Sequence, residues 1–465
     1  MIIASRELAL RILRRVTAER AYITRVLDAE LSAMPSFDSR NRALVTELVY
    51  GVTRWQKTLD WYLDQVCKKP MKQTNAWLRE ILRLGAYQLL ILDRIPASAA
   101  INESVKLAGK YSRKAKLPAK TAKGFVNGVL RNLDRNRATL VSPASLEKTS
   151  RRLAVEYSYP DWLVARWLGR LGEAGTQESC KVNNQPAPLI LRVNTLKLSV
   201  AELQRELDGY VDSCLPLPGN LPGVMISGVA VPISKLPGYT DGRWTVQNAS
   251  SMLISRILDP QPGENVLDVC AGSGTKTTHL GELMNNQGSI TAVDIYEHKL
   301  QRLRENCRQW GISITQTSCC DMTQIQDMPG FHDQGKKGFD RVLVDAPCSG
   351  LGVLRKHPEA KWTRKESDIA ALQQLQRQLL TNATNFLSPM GGVLVYSTCT
   401  TEPEENQEVL TRFLQNSKGF RIEPLSDALP ESLWPCITPE GFLSIDPPQK
   451  LFDGFFCAKL LKGDF

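Results

Sequence analysis

Cys348 and Cys399 each stand just past an apolar run that ends in a polar turn. Arg341-Val-Leu-Val-Asp345 leads into Asp345-Ala-Pro-Cys-Ser-Gly350, and Val393-Leu-Val-Tyr396 leads into Ser397-Thr-Cys-Thr400. In an open α/β sheet, side chains beyond the carboxyl ends of neighbouring strands converge on one crevice, so two thiols far apart in sequence would face one substrate. Paired thiols in such a place imply covalent chemistry, because a thiolate is an intrinsically strong nucleophile. A cysteine taken alone is more often a small buried hydrophobe, so the residues around each thiol carry the argument.

A second constellation precedes the thiols. The run Asn265-Val-Leu-Asp-Val269 passes into Cys270-Ala-Gly-Ser-Gly-Thr-Lys276, a glycine turn that opens a helix, and Asp294 closes the next apolar run twenty residues beyond Gly274. That spacing suits a nucleoside lying across a strand-to-helix turn with its ribose on the acidic residue. A nicotinamide fingerprint needs a third glycine where Thr277 stands, and a phosphate-binding P-loop needs glycine directly before the lysine, where Thr275 stands. A cofactor without phosphates, an adenosine bearing a sulfonium, needs less. A close-approach glycine, a ribose carboxylate and an acceptor for the adenine amine suffice, and Gly274, Asp294 and Asp321 supply them. Taken singly, each aspartate reads equally well as a turn or N-cap residue.

These groups need a sheet to hold them, and the chain has one to offer. From about residue 245 onward, strand-like runs alternate with helices: 265–269, 289–294, 314–321, 341–345, 392–396 and 455–461. Such alternation predicts a doubly wound, mostly parallel sheet over 246–465. Residues 146–245 read as a small α/β connector, with a Trp/Leu helix, a strand Leu189-Ile-Leu-Arg-Val193, a helix 200–207 and a Pro/Gly-rich stretch from Pro216 to Gly242. Residues 1–145 read as all-α. Prolines 35, 70, 96, 118 and 143 punctuate apolar residues at helical spacing, among them Leu8, Ile12, Leu13 and Val16, and Val126, Val129, Leu130 and Leu133.

Charge separates the same regions. Net charge is +10, but residues 1–145 hold 26 Lys/Arg against 12 Asp/Glu, so the remainder is slightly acidic. A basic third of this kind points to a polyanion, with nucleic acid foremost, and Lys106–Arg137 forms its densest basic stretch. No apolar run approaches the roughly 18 residues of a membrane span, and Met1-Ile-Ile-Ala-Ser-Arg-Glu lacks a signal-peptide core, so a cytoplasmic protein without a membrane partner is expected. Eleven cysteines without a Cys-x-x-Cys pair fit reduced thiols. Histidines 279, 298, 332 and 357 show no ligand spacing, so no metal is expected.

Together these motifs resemble the RNA cytosine-5 methyltransferases that use S-adenosylmethionine, and within them the bacterial members acting on small-subunit ribosomal RNA. The resemblance runs through Leu48-Val-Tyr-Gly-Val52 in a NusB-like domain, Leu191-Arg-Val-Asn-Thr195, Val246-Gln-Asn-Ala-Ser250, both thiol motifs, Gly352-Val-Leu-Arg-Lys-His-Pro358, Pro403-Glu-Glu-Asn406 and Asp453-Gly-Phe-Phe456. It implies a NusB-like RNA-binding domain over 1–145, a connector over 146–245 and a Rossmann-like class I methyltransferase domain over 246–465. It further implies S-adenosylmethionine as cofactor and small-subunit ribosomal RNA as partner; a monomer is expected. Cys270, Ala271, Gly272, Ser273, Gly274, Thr275, Lys276, Asp294, Asp321 and Asp345 are implied as cofactor-binding residues.

The family's chemistry implies that Cys399 attacks carbon 6 of cytosine, that Cys348 removes the carbon 5 proton, and that Asp345 hydrogen-bonds the ring nitrogen and exocyclic amine. DNA cytosine methyltransferases place their nucleophile in a Pro-Cys pair like Pro347-Cys348, and spacing does not decide between the thiols. Arg355, Lys356, His357, Lys361, Trp362, Arg364 and Lys365 read as holders of phosphates and a base, and Lys276 as either a helix-end or a substrate contact.

The family's cofactor loop reads Cys-Ala-Ala-Pro-Gly-Gly-Lys, whereas Ser273 and Thr275 replace its proline and second glycine. If position 275 requires positive φ, threonine there is strained by about 1–3 kcal/mol, and Gly272 restores freedom next door. Two other readings compete: a transfer-RNA cytosine-5 methyltransferase, and a non-enzymatic RNA-binding protein with a degenerate cofactor loop.

Overall fold

The computed structural model describes residues 5–229, 231–324 and 338–464; Met1–Ala4 and His332, named above, lie outside them. The chain forms two compact units, Met1–Gln185 with Leu354–Arg364, and Pro186–Val353 with Lys365–Phe465. Residues 146–185, assigned to the connector on composition, therefore cluster with the helical unit.

The first unit is built from α1 (Ser5–Glu19), α2 (Ile23–Ser32), α3 (Ser39–Arg54), α4 (Gln56–Val66), α5 (Ala76–Leu90), α6 (Ala97–Lys110), α7 (Ala119–Arg135), α8 (Thr149–Glu156) and α9 (Asp161–Asn184). Local chemistry sets the ends. Asp38 accepts from the Asn41 amide to cap α3, Asn75 accepts from the Trp77 amide to cap α5, and Pro96 and Pro118 stand immediately before α6 and α7. The apolar stripes meet in one core that includes Leu8, Ile12, Val49, Ile81, Val126 and Leu130, all fully buried.

In the second unit, β1 (Leu189–Val193), α10 (Val200–Glu206), β2 (Ser213–Pro216), β3 (Gly223–Ser227) and β4 (Trp244–Val246) form a small antiparallel sheet in the order β2-β3-β1-β4. Three of these strands lie in or beside the Pro/Gly-rich stretch from Pro216 to Gly242. After α11 (Ala249–Leu258) come β5 (Asn265–Asp268), α12 (Thr275–Leu283), β6 (Ser289–Asp294), α13 (Glu297–Trp310), β7 (Thr315–Cys319) and β8 (Arg341–Asp345). The chain continues through α14 (Ala360–Thr363), α15 (Glu366–Thr384), β9 (Val393–Thr398), α16 (Gln407–Asn416), β10 (Phe420–Ile422), β11 (Leu443–Ile445) and β12 (Phe455–Lys462).

The main sheet runs β10-β12-β9-β8-β5-β6-β7, with β11 paired to β12. Strands β5 to β9 are mutually parallel and β12 is antiparallel to β9. This is the doubly wound α/β arrangement expected from the alternation. Because β5 is flanked by β6 on one side and β8 on the other, strand order reverses there, and a ligand crevice opens at the carboxyl ends of these strands.

Candidate active site

Parallel pairing in register places Asp345 of β8 opposite Ser397 of β9. The turns that follow bring Cys348 and Cys399 together with their sulfurs 3.2 Å apart, and the Cys399 amide donates to Cys348 Sγ at 3.3 Å. Cys399 is exposed, whereas Cys348 is half-buried. The hydrogen bond from Cys348 holds the Cys399 thiol below its ordinary range, with Lys276 adding to the effect. The same bond and burial push Cys348 well above its range. The two thiols are therefore inequivalent, and the more acidic one is the accessible sulfur of Cys399.

A buried polar network fixes both turns. Glu405 accepts from the Ser349 amide at 2.8 Å and the Ser349 hydroxyl at 2.5 Å, and Ser349 shares a 2.8 Å bond with Thr400. Gln376 of α15 donates to Pro347 O and to Glu405, both at 2.9 Å. One carboxylate thus ties the loop of one thiol to the loop of the other, and burial raises its pKa. Close backbone packing completes the arrangement. Gly352 donates to Cys399 O and accepts from Gly454, and a Cβ on Gly352 would lie 2.0 Å from Gly454 O, so only glycine fits.

Lys276, left open by the sequence, reaches Asp345 Oδ2 at 2.5 Å, while Ser397 donates to Asp345 Oδ1 at 3.0 Å. Burial disfavours the charge on Lys276, but Asp345 outweighs it and raises the amine's pKa.

Beyond β5, the glycine turn takes positive φ at Gly272 (58°) and Gly274 (85°), while Thr275 lies outside the left-handed region as the first residue of α12. The strain considered for threonine does not arise, because the glycines at 272 and 274 carry the unusual angles. A Cβ at Gly272 would meet nothing within 4 Å, so the loop backbone is approachable there.

Asp294 accepts from the Gly272 amide at 3.0 Å, from the Tyr296 amide at 2.9 Å and from Lys299 at 3.3 Å. Asp321, just after β7, accepts from the amide and hydroxyl of Thr323, the turn geometry that was the plainer reading of that residue. The half-buried thiol of Cys270 packs against the core beside β5, and desolvation pushes its pKa up. Ser273 O accepts from Asn306 at 2.8 Å.

Asp268, buried at the end of β5, accepts from Thr277, while its Oδ1 has no hydrogen-bond partner among the described residues. Burial lifts its pKa to about 7. Asp268, Asp294, Asp321 and Asp345 thus follow four successive positions along the crevice. A row of carboxylates with an open glycine backbone suits a cationic nucleoside offering hydroxyl and amine donors. It would repel a pyrophosphate.

The motif Leu191–Thr195 has a structural role that its sequence alone does not assign. Arg192 is fully buried against Glu282 at 2.8 Å, and it donates to Thr275 O at 2.7 Å, to Thr278 and to Gln247. Asn194 donates to Gly242 O and Trp310 O, both at 2.8 Å. The connector sheet thereby clamps the start of α12 and the end of α13. The available signal was an arginine within the apolar run Leu-Ile-Leu-Arg-Val, where an unpaired charge would be costly.

One reading is corrected. Of the residues expected to hold RNA after Cys348, Arg355 and Lys361 are buried in the helical unit at 3% and 1% exposure, and Trp362 donates to Thr53 O at 2.7 Å. Glu359 of the same segment accepts from the Ile23 amide at 3.1 Å. Arg355 and Lys361 pack as part of that unit's interior, so their charges do not face a nucleic acid. Lys356, His357 and Arg364 are half-buried, and Lys365 is exposed at the start of α15. None of the eleven cysteines is in a disulfide. Among the described residues no helix is long and apolar enough to cross a membrane, and no His/Cys/Asp/Glu group could hold a metal.

Comparison with known proteins locates these features. The pattern of the family "16S rRNA methyltransferase RsmB/F" matches residues 255–461, the NusB family matches 3–135, and a ferredoxin-like domain of RsmF/B-like methyltransferases matches 159–210. A protein of Synechocystis sp. named "Probable ribosomal RNA small subunit methyltransferase B" is 39% identical over 461 residues, covering 99% of this chain and 100% of that one. The ribosomal RNA small subunit methyltransferase B of Klebsiella pneumoniae (strain 342) is 35% identical, covering 91% and 90%. Among solved structures, the protein PH0851 superposes with a TM-score of 0.82 at 27% identity over 99% of this chain and 100% of its own. A methyltransferase homologue from Pyrococcus horikoshii gives 0.58 at 30% identity, over 68% of this chain and 100% of its own.

Proposed function

Because the chain belongs to the RsmB/F family of 16S rRNA methyltransferases, we propose that it methylates carbon 5 of a cytosine in small-subunit ribosomal RNA through a covalent adduct with Cys399. The observation that carries this reading is the thiol pair 3.2 Å apart at the ends of adjacent parallel strands, with a carboxylate and a lysine beside it. S-adenosylmethionine, when bound, supplies an electrophilic methyl group. The loop Cys270–Lys276 and Asp294 and Asp321 are the residues that would hold it, with Asp294 on the ribose and Asp321 on the adenine amine.

Carbon 5 of cytosine is a weak nucleophile, and adding a thiolate to carbon 6 turns the ring into an enamine whose carbon 5 is reactive. Cys399 performs this addition. It is accessible, and the hydrogen bond from Cys348 favours its thiolate at neutral pH. Asp345, held by Lys276 and Ser397, takes the hydrogen bond of the cytosine amine, and electron density moves toward the ring nitrogen during addition. Once Cys399 is bonded to carbon, the anionic neighbour that raised Cys348 is gone. Cys348 then gives its proton to solvent more readily, takes the proton from carbon 5 after methyl transfer, and the carbon 6–sulfur bond breaks to release the Cys399 thiolate. The target base must be unpaired or flipped to reach Cys399.

The test is methylation of small-subunit RNA by the purified protein with S-adenosylmethionine, followed by base-resolution mapping. A single 5-methylcytosine in that RNA is the expected result. No methyl incorporation, or incorporation only into transfer RNA, would overturn the substrate assignment.

A further inference from the structure

We propose that the helical unit carries a binding site for an unpaired nucleotide of RNA, in an apolar groove between α7 and the turn that leads into α5. The proposal rests on the reading of the chain as an RNA methyltransferase, and it places a contact on the RNA that is separate from the target cytosine.

The groove is a cavity of about 550 Å³, within the roughly 300–1,000 Å³ of ordinary ligand pockets. Val66, Leu78, Leu117, Phe125 and Val129 give it apolar walls, while Lys68 and Lys69 stand at its edge, both exposed. Its far wall is bare helix backbone, since Gly124 and Gly128 are exposed one turn apart on α7 and a Cβ at either would meet nothing within 4 Å. Glycine inside a helix is destabilising, so such positions need a reason. At Gly51 and Gly85 the reason is packing, since a Cβ would strike the Tyr87 ring and Leu130 respectively, while the open Gly169 on α9 does not line the groove. At Gly124 and Gly128 no described residue supplies it, and an outside occupant approaching the helix closely does.

Charge identifies the occupant. No Asp or Glu lines the groove. Arg131 and Arg135, three and seven residues beyond Gly128, continue the same side of α7 and are exposed. A half-buried aromatic ring, apolar walls and a cationic rim together match a flat base attached to phosphates. Gln73, Thr74 and Thr121 border the cavity with groups able to bond a base edge. An acidic amphipathic helix of a protein partner would share the apolar and anionic character, but it would leave these edge groups without a counterpart.

The experiment measures the affinity of the full-length protein for a small-subunit RNA transcript in the wild type and in Gly124→Leu and Gly128→Leu. Leucine favours helix over glycine, so melting temperatures should hold or rise while the groove is filled. A dissociation constant weakened about ten-fold is expected, since a stacked base contributes on that order. Gly169→Leu, at an open and exposed helical glycine on α9, should leave affinity unchanged. A double Lys68→Ala/Lys69→Ala variant should lower the salt slope of binding by about one to two.

Wild-type affinity in both groove variants would overturn the proposal and leave the groove to a protein partner, and a wild type that does not bind the transcript would overturn it too. Whether the wild type methylates that transcript reports separately on the enzymatic reading, because a non-catalytic RNA binder would still show the groove effect.

Discussion

Two lysines, one in each unit, the half-buried Lys276 and the buried Lys361, are used in opposite ways. Lys276 in the thiol cleft meets a carboxylate at 2.5 Å and keeps its proton more firmly than an ordinary lysine. Among the described residues Lys361 in the helical unit hydrogen-bonds to neutral oxygens, Asn184 Oδ1 at 2.7 Å, Ser158 O at 3.2 Å and Arg54 O at 3.4 Å, with its amine 3.5 Å from the centre of the Tyr159 ring. Burial and the neighbouring Arg54 push its pKa far down, so its charge is disfavoured in the fold. The contrast teaches that a lysine near a catalytic motif is a candidate for chemistry where a countercharge keeps it ionised. Without one, burial turns it into a packing residue.

The largest effect should come from Lys276→Met. That change leaves Asp345 without its ion partner and removes a cation that favours the Cys399 thiolate. Turnover should fall about 100-fold, with the ascending limb of the pH–rate profile moved to higher pH. Wild-type turnover in this variant would erase the distinction between the two lysines.

Lys361→Met should have a much smaller effect, with a distinctive pH dependence. Lys361 has its pKa depressed on folding, so between that lowered value and the unfolded 10.5 the unfolded chain binds the extra proton, and wild-type stability rises with pH. The slope is at most about 1.4 kcal/mol per pH unit. Methionine removes this dependence, although it leaves three oxygen acceptors less well satisfied. The melting temperature of the variant relative to wild type should therefore fall as pH rises toward 10.5, with RNA affinity and its salt slope unchanged. A loss of salt slope would return Lys361 to the RNA-contacting surface from which its burial removed it.

Much of the catalytic unit was legible because its strands are short runs rich in β-branched and aliphatic residues: β6 and β8 fall at the boundaries read from sequence, and the convergence of Cys348 and Cys399 follows from strand ends alone. The connector was less legible. Pro216 and the glycines around β2 and β3 carry turn signals, and those strands are held by the β1 and β3 ladders, pairing that local sequence does not report. Thr275 was judged against a family pattern, whereas the structure shifts the unusual dihedrals to Gly272 and Gly274. Arg355 and Lys361 were misread because a basic run looks the same whether it faces solvent or enters another unit's core. Long-range packing alone separates the two.

The central claim is that the exposed thiol of Cys399 attacks the base while Cys348 releases the product. Denaturing electrophoresis of Cys348→Ala and Cys399→Ala, each incubated with S-adenosylmethionine and small-subunit RNA, tests it most directly. The account predicts a stable protein–RNA adduct in Cys348→Ala and none in Cys399→Ala. An adduct that accumulates in Cys399→Ala and is absent from Cys348→Ala would contradict it and exchange the two roles.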